Sequence, residues 1–87
     1  VNNLHLEVFP NPSYGNAYIK FNLLNPHMVE LKLINVLGKE ISTLRTNFTS
    51  GLHQLNLDVL KSELKPGLYF LNCIIENYKE TQQVIVY

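Results

Sequence analysis

Apolar and polar residues alternate along most of the chain with a period of two, the spacing that lines up side chains on one face of a β-strand. Leu4, Leu6 and Val8 alternate with His5 and Glu7 and predict a first, half-buried strand. Phe9 to Gly15 interrupts it. Pro10 and Pro12 each push their predecessor toward extended geometry, and Asn11 is able to hydrogen-bond its own backbone, so a stiff corner is expected there. Ala17, Ile19, Phe21 and Leu23 carry the second strand, closed by an Asn25-Pro26-His27 turn. Val29, Leu31 and Leu33 predict a third, with Glu30 and Lys32 on its outer face. Gly38, within Val36 to Lys39, is the expected positive-φ residue of a tight hairpin turn.

A fourth strand is expected over Glu40 to Leu44, with Ile41 pointing inward, and Arg45 to Ser50 reads as an exposed polar connection. His53, Leu55 and Leu57 share one face of a fifth strand. Asp58 to Lys65 is the one ambiguous stretch; it reads as a crossover loop whose Leu60 and Leu64 plug the core, with a short helical turn as the other option. Pro66-Gly67 is a turn signal, and the aromatic and β-branched run after it reads as a long central strand. Tyr69, Leu71, Cys73 and Ile75 fall on one of its faces. Asn77 to Lys79 is the expected turn, and Glu80 to Tyr87 the returning strand. Some seven short strands, with turn signals every ~8–12 residues and no ten-residue stretch of helical period, predict an all-β, Ig-like antiparallel sandwich. Packing two inner faces together is how such strands bury their apolar stripes.

At 87 residues the chain is expected to be a single domain near the small end of what folds without staples. It begins at Val1 rather than Met and is expected to be a piece of a longer protein. A 46% hydrophobic content supports a packed core. Zero formal net charge argues against nucleic acid or an anionic membrane surface as partner. No apolar run approaches the roughly 20 residues of a membrane-spanning helix, so no membrane insertion is expected. The lone Cys73 leaves no internal disulfide and no cysteine-rich zinc site.

Candidate chemistry is sparse, and no catalytic, cofactor-binding or metal-ligating set is expected. His5, His27 and His53 show no metal-pair spacing, and a half-buried or capping role suits His53 better than ligation. Ser13, Ser42, Ser50 and Ser62 lack the context of a nucleophile elbow. Cys73 sits mid-strand among apolar neighbours, where a buried inert thiol is expected rather than a nucleophile. Asn47-Phe48-Thr49 fits an N-glycosylation triplet, a pattern that arises often by chance. Tyr14, Tyr18 and Tyr78 are candidates to stack on a sugar ring but read more simply as surface tyrosines.

Three motifs occur in order: Phe9-Pro10-Asn11-Pro12-Ser13, an alternating strand from Val29 ending in the Gly38-Lys39 turn, and Leu64-Lys65-Pro66-Gly67-Leu68-Tyr69. With these the sequence resembles the C-terminal sorting domain of the type IX (Por) secretion system of Bacteroidetes, over residues 4 to 87. One departure stands out. The family's last strand often carries a lysine or arginine near its end, whereas here no base follows Lys79. A terminal positive charge read by a partner is therefore missing or carried by Lys79.

The resemblance implies a signal rather than an enzyme. Such domains sit at the C-terminus of secreted cargo that reaches the periplasm by general export. They direct it through an outer-membrane translocon, with a shuttle protein and a surface sortase as further partners, and the sortase usually removes them. Cargo ends at the cell surface or is released. The sorting signal is concentrated toward the C-terminal end. Val84, Ile85, Val86, Tyr87 and Lys79 are therefore the candidate partner-recognition residues, through β-augmentation on an edge strand. Plain core packing of Val84 to Val86 is the equal alternative. Pro10, Asn11, Pro12, Gly38, Lys39, Gly67 and Tyr69 are family-motif residues expected to serve mainly the fold. A sortase cut is expected in the linker before Leu4, at or upstream of Val1. A homodimer through an exposed strand edge is a further expectation. The alternatives are an adhesive or carbohydrate-binding Ig-like module and a passive spacer; a stop codon directly after Tyr87 favours sorting over a spacer.

Overall fold

Period-two alternation becomes seven antiparallel strands: β1 (Glu7–Phe9), β2 (Tyr18–Leu23), β3 (His27–Asn35), β4 (Glu40–Phe48), β5 (Gly51–Asn56), β6 (Gly67–Ile75) and β7 (Tyr78–Val86). The computed structural model describes residues 4–9, 17–57 and 64–87. The strands form two sheets, ordered β1-β2-β5 and β4-β3-β6-β7. Consecutive β2 and β3 lie in different sheets, as do β4 and β5, so the chain crosses between layers in the Greek-key manner of Ig-like sandwiches.

The inner faces meet in one core. Ile19 and Phe21 of the three-stranded sheet are sealed against Val29, Leu31, Leu33 and Leu71 of the other. Where the chain steps from β4 to β5, Phe48 meets the ring of Phe21 edge-on at 5.2 Å, and His53 packs against both. The Nε2 of His53 lies 2.7 Å from the carbonyl of Thr49, which can only accept, so this nitrogen is the donor. The half-buried histidine thus ties the corner between the sheets.

The structure corrects several boundaries. Arg45 to Ser50 is not a loose connection: β4 runs on to Phe48, paired with β3 residue by residue from Ser42 to Phe48. Its polar end reads as loop because an edge strand has little covering either face. Leu4 to Leu6 is not part of β1 either. His5 takes a φ of +49°, and this segment forms a strap that sinks Leu4 and Leu6 fully into the core. His27 opens β3 rather than sitting in a turn, and β5 begins at Gly51, before His53. The hairpin turn expected over Asn77 to Lys79 falls at Glu76-Asn77, with Glu76 at a φ of +52°. Lys79 is therefore a strand residue, opposite Ile74. The Pro10-Asn11-Pro12 corner and Leu60 lie outside the described residues; Leu64 packs against the core.

Candidate functional site

Strand β7 closes one end of the four-stranded sheet, bound along its length to β6 from Gly67↔Val86 to Ile75↔Tyr78. Alternation then divides the candidate recognition residues. Val84 and Val86 point inward and are 1% and 4% exposed. Ile85, between them, lies on the other face beside Leu68, and Lys79 lies on that same outer face, exposed. Tyr87 follows the strand and is 60% exposed. So the valines fix the strand to the core, while Ile85, Tyr87 and Lys79 face outward. Gln83, Ile85 and Tyr87 each already carry an interaction of their own.

The start of β7 is held by the strap that precedes β1. The carboxylate of Glu80 accepts a hydrogen bond from the backbone N–H of Leu6 at 2.8 Å and another from the hydroxyl of Tyr78 at 3.0 Å. The Tyr78–Glu80 bond holds the Tyr78 phenol above its ordinary pKa. Across the sheet, Asn72 is buried on the outer face, and its Oδ1 accepts from the Thr81 hydroxyl at 2.7 Å. Glu80 went unremarked in the sequence. Its only signal there is a carboxylate at a position where the strand's alternation calls for an inward residue.

Among the described residues, the family-motif glycines sit at strand ends. Gly67 opens β6 with a φ of +154°, and Gly38 turns β3 into β4 with a φ of +86°. Asn35 organises that second turn. Its Oδ1 accepts from the N–H groups of Leu37 and Lys39, both at 3.0 Å, and its own N–H donates to the carbonyl of Lys39. This Asx-type arrangement is legible in principle, as an asparagine just before a glycine turn, but sequence reading passed over it. Tyr69 buries its ring, and its hydroxyl donates to the carbonyl of Lys65 at 2.7 Å, clamping the approach to β6.

At the turn end of the hairpin, an open hollow of about 390 Å³ is lined by His27, Met28, Glu30, Arg45, Ile74 and Glu76. Its polar side chains sit on one another: Arg45 lies 3.4 Å from Glu30, and the Nδ1 of His27 lies 3.8 Å from Glu76. Among the described residues, no three His, Cys, Asp or Glu side chains are grouped to hold a metal ion. Cys73 is buried, and burial, aided by the charge of Glu80, pushes its thiol up to about 12, far from a nucleophile's range.

The fold and this hairpin define an Ig-like sandwich whose last strand is laid along a sheet edge. The chain belongs to the secretion system C-terminal sorting domain family, that of the Por (type IX) secretion system, whose profile matches residues 7–87. No curated protein matches it. Family membership makes the chain a sorting signal that works with the type IX machinery, not a catalyst, on cargo that is secreted or displayed at the outer surface.

Proposed function

We propose that this chain is the C-terminal appendage of a larger cargo protein, and that the translocon and its shuttle protein read it through the outward side of β7. The observation that carries the reading is the division of that strand: Val84 and Val86 are core, while Lys79, Ile85 and Tyr87 face away from it. A machine that accepts many cargos must read a shared folded feature, and side chains held by a rigid strand cost little ordering entropy on binding. Gln83, Ile85 and Tyr87 already have contacts, so the reading rests on outward side chains and not on open backbone groups. A surface sortase then removes the domain at a bond ahead of Leu4, because Leu4 and Leu6 are both sunk in the core.

The test is export of a reporter carrying this chain at its C-terminus in a bacterium with the type IX machinery. Removing Val84 to Tyr87 abolishes surface delivery. Because that deletion also strips the core, the discriminating variant is Ile85→Glu with Lys79→Glu, which alters only the outer face. It leaves cooperative unfolding in place and lowers export severalfold. Surface delivery that survives both changes defeats the reading.

A further inference from the structure

The four-stranded sheet has a second end, at β4. Sheets that avoid association blunt their edges with short strands, proline, charged side chains (lysine above all), bulges or inward charges. Strand β4 has nine residues, Glu40 to Phe48, and among them no proline and no lysine. Thr43, Arg45, Thr46 and Asn47 are all exposed. Its one irregularity is a register shift opposite Leu33/Ile34, at the Glu40 end. The other sheet ends differ. Strand β1 has three residues, and β7 is strapped at Glu80 by Leu6. No strand of the described residues pairs with the far side of β4.

We infer that β4 is a self-association edge, pairing antiparallel with β4 of a second copy about a two-fold axis at Leu44. The strand reads as its own complement in that register. Leu44 meets Leu44 of the second copy on the axis, Ser42 faces Thr46, and Thr43 faces Arg45, each twice by symmetry. All nine residues overlap, and no like charges stand opposite one another. Moving the axis one residue to Arg45 sets two guanidinium groups face to face, which cross-strand pairing disfavours. In the Leu44 register Arg45 faces the neutral Thr43 and keeps Glu30 at 3.4 Å within its own sheet. A two-fold, self-complementary contact is the usual form of a homodimer.

The order β4-β3-β6-β7 gives the pairing a consequence. The joined sheet has eight strands, with a β7 at each outer end. Dimerisation through β4 therefore leaves both C-terminal hairpins clear of the interface and presents them as a pair.

Sedimentation equilibrium of the 87-residue chain from micromolar to millimolar concentration tests this directly. The expected result is a reversible dimer. Thr43→Arg puts like charges opposite Arg45 at two places and weakens the dimer by about tenfold. Thr43→Glu makes two opposite-charge pairs instead and tightens it severalfold. Lys32 pairs with Thr43 inside the monomer, so each variant is first checked for cooperative unfolding at a concentration where it is monomeric. A chain that stays monomeric throughout the range overturns the inference. A dimer indifferent to both substitutions does so as well.

Discussion

The half-buried carboxylate of Glu80 holds two donors at once, the Leu6 N–H and the Tyr78 hydroxyl, and its charge also reaches Cys73. Burial comes first in raising the thiol to about 12, against an ordinary 9.0, and Glu80 adds to it. The sign of the resulting pH dependence follows. An unfolded chain ionises its thiol as pH rises past 9.0, while the folded chain keeps the proton until about 12. Stability from this residue is therefore whole below pH 9.0 and lost progressively as pH climbs toward about 12. Cys73→Ala removes that alkaline limb from a plot of denaturation midpoint against pH. It also costs some stability at neutral pH, because the sulfur fills core volume. At pH 8 a thiol reagent reacts with Cys73 only as denaturant unfolds the chain. Rapid labelling of the native protein contradicts this account.

At the scale of elements, the hairpin depends on how β6 begins. Gly67 has a φ of +154°, and a Cβ built there meets nothing within 4 Å. Substitution is therefore penalised by the backbone alone. Gly67→Ala already bears most of that penalty, and Gly67→Val loses about 1–3 kcal/mol, since β-branched residues tolerate this region least. Chemical denaturation of the two variants measures it; a valine variant as stable as wild type rules the strained turn out. Gly67 was legible in the sequence because a Pro-Gly pair before an apolar run has a local cause. Seven strands were legible for the same reason: alternation depends only on neighbours. What could not be read depends on partners far along the chain. The sheet order comes from pairings such as Leu31 with both Leu44 and Cys73. The length of β4 was missed because Arg45, Thr46 and Asn47 lie at an edge, where a strand needs no apolar stripe. The strap was mistaken for strand because Leu4 and Leu6 keep the alternation, while the positive φ of His5 breaks the ladder. In the candidate site, Val84 and Val86 read as recognition residues or core with equal weight, because alternation puts them on one face without saying which face is inward. The reach of Glu80 to Leu6, 74 residues away in sequence, did not follow from alternation.

For the whole molecule, that long reach decides where the domain begins. The strap joins the two sheets at the end where β1 and β7 approach. Leu4 and Leu6 fill the core, the Leu6 N–H is taken by Glu80, and the Leu4 carbonyl accepts from the N–H of Asn22 at 2.8 Å. Losing a fully buried leucine typically costs 2–5 kcal/mol, comparable to the roughly 5–15 kcal/mol that holds a small domain together. A chain trimmed to start at Leu4 keeps both buried leucines and the Leu6–Glu80 contact, and is expected to unfold cooperatively. A chain trimmed to start at Glu7 loses both leucines and leaves a half-buried carboxylate without its amide partner. It is expected to show no cooperative transition at 25 °C, or one displaced far downward. Thermal and urea melts followed by circular dichroism compare the two. Glu80→Gln serves as the intermediate case, because its amide oxygen still accepts from Leu6 while the charge is gone, so it should fall between them. If the Glu7-start fragment melts like the full chain, the strap is dispensable, and a processing bond C-terminal to Leu4 becomes compatible with a folded signal.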